Sequence, residues 1–226
     1  MPVLLEVPCQ VCGSRGGESL LRESFEASTG RLEAELVLCG DCGFLYATPR
    51  ALPEAADFDR GAASDGAGFA RFVERTLPAE TIPGNALDAR AFDGEWLALL
   101  SLRNWSKFGI EPSHTLAERA RVHGLTINEG LLEDNHLTPE SFDLVTCRGL
   151  LENTPDLRST MQELERLVRP AGHLFVCVPD TFQVATNPRR ALTHPRSSSV
   201  RLWRSSSLKR TRTGTSRPSA WNFGSA

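Results

Sequence analysis

Four of the six cysteines in this 226-residue chain form two close pairs, Cys9 with Cys12 and Cys39 with Cys42. Two residues separate the thiols within each pair, so one tight turn directs both sulfurs at a single ion. Together the pairs supply the four thiolates of a tetrahedral structural zinc site, which leaves no open position for a catalytic zinc. The spacing therefore favours a structural Zn²⁺ ion over free thiols or disulfide bonds.

The residues between the two pairs are typical of one strand of a hairpin. Alternate positions over 31–38 are apolar, which is the pattern of a half-buried strand. A glycine follows each pair, at Gly13 and Gly43, where a small residue lets backbone amides approach the thiolates. We interpret residues 1–50 as a zinc ribbon. The remaining cysteines, Cys147 and Cys177, lie singly in apolar runs and are interpreted as buried small residues.

Charge is distributed unevenly along the chain. The net charge is −3, but residues 186–226 carry nine Lys or Arg and no acidic residue, so residues 1–185 hold sixteen basic and twenty-eight acidic residues. An acidic body argues against a nucleic-acid-binding surface, because phosphate contacts need basic clusters. No apolar run reaches the roughly 18 residues of a membrane span. The composition predicts a soluble, cytoplasmic protein with no nucleic-acid or membrane partner; it leaves the oligomeric state open.

Beyond a Pro83-Gly84 turn, apolar segments of strand and helix type alternate, which predicts an α/β fold with a parallel sheet and right-handed crossovers. The predicted strands are 86–87, 105–110, 125–127, 142–147 and 173–178, and the predicted helices are 69–77, 96–100, 112–124 and 154–168. Ligands of such sheets bind beyond the carboxyl ends of the strands. Polar residues at three of those ends, Asp88, Glu111 and Arg148, mark the expected site.

Six segments in order then resemble class I S-adenosylmethionine-dependent methyltransferases with an N-terminal zinc-binding domain. They are "CQVCGS", "LCGDCGFLYATPR", "ALDARAFDGEW", "GIEPS", "SFDLVTCRGLLENTPDL" and "ELERLVRPAGHLFVCVPD". The resemblance covers about residues 8–185. It implies a Rossmann-like parallel sheet, S-adenosylmethionine as cofactor, and a small-molecule methyl acceptor.

The resemblance also assigns roles by position. It places Asp88 at the cofactor loop, Glu111 on the ribose hydroxyls and Glu133 near the adenine. Residues 148–153 would face the methyl group, and among them Glu152 is the candidate catalytic residue. Glu111 has a second interpretation, as an acid at the positive end of a helix, and Glu152 has one as a helix cap.

The chain departs from the family pattern at its cofactor loop. Where relatives have Asp-x-Gly-x-Gly-x-Gly, the glycine positions hold Arg90, Phe92 and Gly94. Only Gly94 keeps the family residue, and it is the loop's candidate cofactor contact. A further departure is Asn153, which follows Glu152 where relatives often have a histidine, and an amide cannot serve as a general base. Two functions stay open: methyl transfer, or an inactive binding or scaffold protein with a degraded cofactor loop.

The last segment breaks the alternating pattern. Residues 51–185 are interpreted as the Rossmann-like domain, and 186–226, rich in Ser, Arg and Thr, as a basic disordered tail. The change near Pro195 is also what a shift of reading frame produces, which would leave a truncated product with no function of its own. Both interpretations predict a sheet that lacks its last strands.

Overall fold

The computed structural model describes residues 4–27, 30–51, 66–79, 81–100, 104–179 and 198–204. The chain divides into two compact units. Among the described residues, the first contains 4–27, 30–51 and 155–158, and the second contains 66–79, 81–100, 104–154, 159–179 and 198–204. Within the described ranges, no helix has the length and apolarity needed to cross a bilayer.

The first unit is built from short antiparallel sheets. Its strands are β1 (Leu4–Leu5), β2 (Gly17–Ala27), β3 (Gly30–Cys39), β4 (Leu45–Thr48) and β5 (Arg50–Ala51). β2, β3 and β4 form one sheet, in which Gly17 pairs with Cys39, and β1 pairs with β5. The strand predicted over 31–38 is thus observed as β3. A small core of Val37 and Tyr46 packs with Cys9 and Cys39.

The second unit alternates strands and helices. Its elements are α1 (Gly66–Thr76), β6 (Asn85–Asp88), α2 (Glu95–Leu99), β7 (Ser106–Glu111), α3 (His114–Val122), β8 (Thr126–Glu129), a 3₁₀ turn (Leu132–Asn135), β9 (Phe142–Arg148), α4 (Leu157–Leu167), β10 (Val168–Pro179) and β11 (Ser198–Arg204). The strand order is β11-β10-β9-β6-β7-β8, with β6 to β10 parallel. The predicted α/β fold with a parallel sheet is confirmed.

Two local predictions differ from the structure. Val168, expected at the end of a helix, begins β10. Ser198–Arg204, expected in a disordered tail, forms β11 antiparallel to β10. An edge strand presents unpaired N–H and C=O groups, and β11 satisfies those of β10 over seven residue pairs, from His173 to Pro179. The reading-frame prediction, and the rest of the tail, lie outside the described residues.

Both faces of the sheet are buried. Neighbouring residues of one strand enter different apolar clusters, as Leu144 joins the first and Val145 the second. Because successive side chains of a strand point to opposite faces, the two clusters cover the two sides. Trp96 of α2 is fully buried in the first cluster, edge-on to Phe69 of α1 at 5.1 Å. This explains the continuous apolar strands that the sequence shows.

A single carboxylate joins three strands at the amino edge of the sheet. Asp143, in β9, accepts a hydrogen bond from the Asn85 N–H of β6 at 2.8 Å. It also forms two hydrogen bonds with the Arg169 guanidinium of β10, at 2.9 and 2.8 Å. A Cβ at Gly84 would lie 2.0 Å from Asp143 Oδ2, so only glycine fits there.

Candidate functional site

The loop that follows β6 is held by Asp88 and by the neighbouring strands. Asp88 is fully buried, and its carboxylate accepts hydrogen bonds from the Arg90 N–H and the Trp96 Nε1–H. The Ala89 N–H donates to Thr146 O of β9, and the Ala91 N–H donates to Ile110 O of β7, both at 2.8 Å. The loop therefore continues the sheet's backbone pairing past the strand end before it turns into α2.

Glu111 closes β7 beneath the same loop. Its side chain is fully buried, and its two carboxylate oxygens are engaged separately. Oε2 accepts the Phe92 N–H at 2.8 Å, and Oε1 accepts the Ser113 N–H at 2.9 Å. Ser113 is also the N-cap of α3, where its hydroxyl accepts the Leu116 N–H. Each carboxylate oxygen keeps a second lone pair, so Glu111 has capacity for two further donors.

Charged groups crowd this edge of the sheet. Burial raises the pKa of Asp88 to about 6, although Arg148 opposes the rise. Burial also raises the pKa of Glu111, to which the nearby Asp88 adds. Burial lowers the pKa of Arg90, against the attraction of Glu111, Glu152 and Asp88. The carboxyl groups at the ends of β6 and β7 are thus close enough to influence each other's ionisation.

Side chains of the loop pack against each other and against the backbone that follows β9. The Arg90 guanidinium lies 4.6 Å from the centre of the Phe92 ring and donates to Gly149 O. A Cβ at Gly149 would come within 3.1 Å of Phe92 Cζ, so the ring rests directly against that backbone. Phe92 has φ of 52°, a left-handed conformation that is costly for an aromatic residue.

The glycine that the loop retains serves packing. Gly94 has φ of 77°, and a Cβ there would lie 2.5 Å from Leu125 Cδ1 and 2.8 Å from Ala120 Cβ. In dinucleotide loops the third glycine allows close packing of helix and strand, whereas the first two allow the tight turn and the backbone's approach to the ligand. This chain has kept the packing glycine and replaced the other two with Arg90 and Phe92.

The two other acids that the sequence singled out lie apart from this centre or at its rim. Glu133, in the 3₁₀ turn, accepts a hydrogen bond from the Thr160 hydroxyl at 2.5 Å. It lines a shallow cavity whose described walls also include His136 and Arg166 but neither Asp88 nor Glu111. Glu152 lies just beyond β9 at the rim of this centre; the protein around its carboxyl group limits hydration and raises the pKa, and Arg90 opposes the rise.

Sequence reasoning missed the aromatic surroundings of Arg148. The Arg148 guanidinium lies 4.7 Å from the Phe69 ring centre, 5.7 Å from Phe92 and 5.9 Å from Trp96. Phe69 comes from a helix preceding the first sheet strand, and no spacing rule links it to Arg148. Arginine at a strand end was visible in the sequence, but its burial, with 6% of its surface exposed, was not.

The cysteine pairs of the first unit come together in two equivalent turns. In the first, the Gly13 N–H donates to Cys9 O at 2.7 Å and the Cys9 N–H to Ser14 O at 2.8 Å. The second repeats the pattern: the Gly43 N–H donates to Cys39 O, and the Cys39 N–H to Phe44 O, both at 2.9 Å. Gly13 and Gly43 have φ of 80° and 71°, which only glycine adopts freely.

The four sulfurs form one compact group. Cys9 Sγ lies 3.5 Å from Cys42 Sγ, Cys12 Sγ lies 3.4 Å from Cys39 Sγ, and all four are within 4.8 Å of one another. Tetrahedral zinc with bonds of about 2.3 Å separates its sulfurs by about 3.8 Å, so this donor set fits the ion. Desolvation acts to raise the pKa of Cys39, but the N–H groups of Asp41 and Cys42 outweigh it and lower the pKa to about 7.

Known proteins resemble parts of this chain. The ubiquinone biosynthesis O-methyltransferase of Vibrio atlanticus (strain LGP32) is 34% identical over 74 residues, which are 30% of this chain and 31% of that protein. The enzyme of the same name from Pectobacterium carotovorum subsp. carotovorum (strain PC1) is 34% identical over 70 residues, 30% of this chain and 29% of that protein. The chain thus matches about a third of the length of these curated relatives.

Comparison of structures and of families gives wider coverage. A SAM-dependent methyltransferase from Thermotoga maritima has a TM-score of 0.48 and 23% identity, over 59% of this chain and 62% of the other. The family described as "Methyltransferase domain" matches residues 63–213, about two thirds of the chain. Because this match covers more than half of the chain, the chain belongs to the methyltransferase-domain family.

Proposed function

We propose that the second unit binds S-adenosylmethionine at the carboxyl edge of its sheet and transfers the methyl group to a small molecule. The observation that carries this proposal is the pair of buried carboxylates, Asp88 and Glu111, at the ends of adjacent parallel strands beneath one loop. Ligands of open α/β sheets bind at this edge, and an acid at the second strand end is suited to a ribose.

Each residue has a distinct part in binding. Glu111 would accept the ribose hydroxyls with the lone pairs that the Phe92 and Ser113 amides leave free. Asp88 holds the loop in shape through the Arg90 N–H and Trp96. Gly94 keeps α2 packed against Ala120. The Phe92 ring lies against Gly149, and we expect this side chain to move when the cofactor binds beside the loop.

Catalysis would depend mainly on positioning. The bound cofactor supplies an electrophilic methyl group, and the chain's contribution is to align the acceptor with it and exclude water. Glu152, with its raised pKa beside Arg90, is the candidate to take a proton from a protonated acceptor. Asn153 donates to Gly149 O at 2.8 Å and so supports the segment between β9 and α4.

The acceptor is proposed to be a small molecule methylated on oxygen. Two curated relatives are O-methyltransferases of ubiquinone biosynthesis, which supports an oxygen acceptor and a small substrate. Glu133 remains the proposed neighbour of the adenine, and its contact with Thr160 predicts that this pocket includes the start of α4.

One observation favours the second candidate, a binding protein without methyltransferase activity. Arg90 and Phe92 replace the two glycines that let the loop turn tightly and let its backbone approach a ligand, and their side chains pack against each other and against Gly149. A loop fixed in this conformation would preserve the fold while excluding the cofactor.

Titration calorimetry of the full chain with S-adenosylmethionine separates the two candidates. A methyltransferase binds the cofactor, and Glu111→Gln weakens binding about tenfold, because a neutral amide loses the charge-assisted hydrogen bonds. Glu129→Gln, at the exposed end of the neighbouring strand β8, is the matched control and leaves the affinity unchanged. Absence of heat with the unsubstituted chain at millimolar cofactor would decide for the binding protein.

We propose further that Cys9, Cys12, Cys39 and Cys42 hold one structural Zn²⁺ ion. The equivalent turns and the close sulfurs support this assignment. With four thiolate ligands the ion would supply no catalytic position and would contribute to the folding of the first unit.

A further inference from the structure

Arg148 is a buried cation at the carboxyl edge of the sheet. It is the last residue of β9, where it pairs with Cys177 of β10, and Thr146, two residues earlier, pairs with Asp88 of β6. Only 6% of its surface is exposed. The guanidinium therefore lies at the end of the central strands, on the side where the cofactor loop begins.

Aromatic rings, rather than acceptors, surround this guanidinium. The ring centres of Phe69, Phe92 and Trp96 lie 4.7, 5.7 and 5.9 Å from Arg148 Cζ. Contacts of a cation with ring faces contribute about 0.5–2 kcal/mol each and leave every N–H donor unused. The rings hold the side chain in place without satisfying its hydrogen bonds.

The donors of Arg148 lack partners among the described residues. Its Nε is buried and has no hydrogen bond, and within these ranges no ion pair includes Arg148. The nearby Asp88 carboxylate is already engaged by the Arg90 N–H and by Trp96. Arg90 is equally buried and its Nε also has no hydrogen bond, but its Nη1 donates to Gly149 O, whereas no described hydrogen bond includes Arg148.

A buried donor without a hydrogen bond is costly, and one in a native structure calls for an explanation such as a partner absent from the structure. A guanidinium presents a planar fork of donors that matches the two oxygens of a carboxylate. We propose that Arg148 binds a carboxylate of a ligand at this site. The proposal rests on the proposed function for the identity of the ligands, and it names two sources of the group: the methionine part of the cofactor, or an acidic methyl acceptor.

Calorimetric titrations of the full chain in chloride-free buffer test this assignment. S-adenosylhomocysteine carries the amino-acid carboxylate, whereas 5′-methylthioadenosine lacks it. Benzoate and its uncharged counterpart benzamide probe an acceptor carboxylate. Arg148→Met replaces the guanidinium with an apolar chain that suits the aromatic surroundings, and Arg119→Met, on the exposed face of α3, controls for the loss of one positive charge.

If Arg148 binds the carboxylate of the cofactor, Arg148→Met should weaken the affinity for S-adenosylhomocysteine about 10- to 100-fold. The affinity for 5′-methylthioadenosine, which lacks this group, should stay within twofold. An acceptor carboxylate predicts unchanged S-adenosylhomocysteine affinity and loss of a preference for benzoate over benzamide that the unsubstituted chain shows. Either result supports the proposal.

Equal affinities of Arg148→Met and the unsubstituted chain for S-adenosylhomocysteine and benzoate would overturn it. If thermal unfolding shows that Arg148→Met does not fold, Arg148→Lys takes its place, and its affinities are compared with those of the unsubstituted chain in the same way. Lysine keeps the positive charge but lacks the planar pair of donors that a guanidinium offers to a carboxylate. If the unsubstituted chain binds neither nucleoside, the proposed function fails, and the benzoate arm alone still decides the role of Arg148.

Discussion

The cysteine cluster and the loop after β6 are two regions for which short motifs predict a ligand, but the two motifs differ in completeness. The cluster keeps all four ligands and both glycines, and its two turns repeat the same backbone hydrogen bonds. The loop keeps one glycine of three, and the side chains at the other two positions, Arg90 and Phe92, pack against each other and against Gly149. For the proposed functions, the cysteine cluster needs only the ion, whereas the loop must also change its conformation.

This difference shows that one sequence motif can contain residues needed for packing and other residues needed for binding a ligand. At the loop, Gly94 is required for packing against Ala120 and Leu125 whether or not anything binds. The positions of Arg90 and Phe92 matter to a ligand, and the strand–loop–helix connection forms with both residues present. In the cysteine cluster the proposed zinc ligands are themselves part of the two turns, so the proposal does not separate the two requirements.

The largest expected effect tests the complete site. Cys39→Ser should abolish stoichiometric zinc and destabilise the first unit by more than about 3 kcal/mol, because structural zinc contributes directly to folding. Tyr46, the chain's single tyrosine, lies in the core of this unit, so 3-fluorotyrosine gives one ¹⁹F resonance that reports its unfolding. Cys177→Ser, outside the cluster, should retain one zinc per chain. A chelator-insensitive Tyr46 resonance in the unsubstituted protein would contradict the comparison.

A smaller effect concerns the acid beneath the incomplete loop. The pKa of Asp88 is raised to about 6 from an ordinary 3.8, so its contribution to stability is complete below about pH 3.8 and is lost as pH rises through 6. The loss amounts to about 3 kcal/mol. Asp88→Asn should therefore gain stability relative to the unsubstituted chain between pH 4 and pH 7.

Urea unfolding followed by tryptophan fluorescence at several pH values measures this difference. Asp93→Asn, in the same loop but only partly buried, is the matched control and should keep the pH profile of the unsubstituted chain. Parallel profiles for Asp88→Asn and the unsubstituted chain would show that Asp88 is not held in a desolvated site.

The smallest expected effect asks whether the loop can be restored. Phe92→Gly removes the ring that rests on Gly149 and relieves the φ of 52°, so it should raise the affinity for S-adenosylhomocysteine about tenfold in titration calorimetry. Phe92→Leu keeps an apolar side chain at the same backbone angle and should change the affinity little. An unchanged or weaker affinity of Phe92→Gly would mean that Phe92 does not limit binding.

The sequence predicted the fold because its signals are local. Strand ends at Asp88 and Glu111, and the cap at Ser113, follow from apolar runs and a Pro-Ser start. Two elements were misjudged where tertiary pairing decides. Val168 continues the helical spacing but joins a strand, and β11 arises in a Ser- and Arg-rich segment because the edge of β10 offers a ladder to pair with.

For the candidate site, the sequence predicted which residues lie at the strand ends but not how their side chains are arranged. Which residues end the strands could be derived from the pattern, but the rotation of side chains into the shared space could not. Arg148 is surrounded by Phe69, Phe92 and Trp96, which lie on separate segments of the chain, up to 79 positions from it in sequence. No periodicity links such residues, and their meeting depends on packing that only coordinates describe.

Asp143 links β6, β9 and β10 at the edge of the sheet opposite the loop. Parallel strands pinned at their amino ends cannot slide past one another when the connections at their far ends lengthen, shorten or change residues. The pairing of Asp88 with Thr146 therefore does not depend on which residues the loop contains. Residues 89–93 can therefore be substituted, by natural variation or by design, while the strands beneath them stay in register.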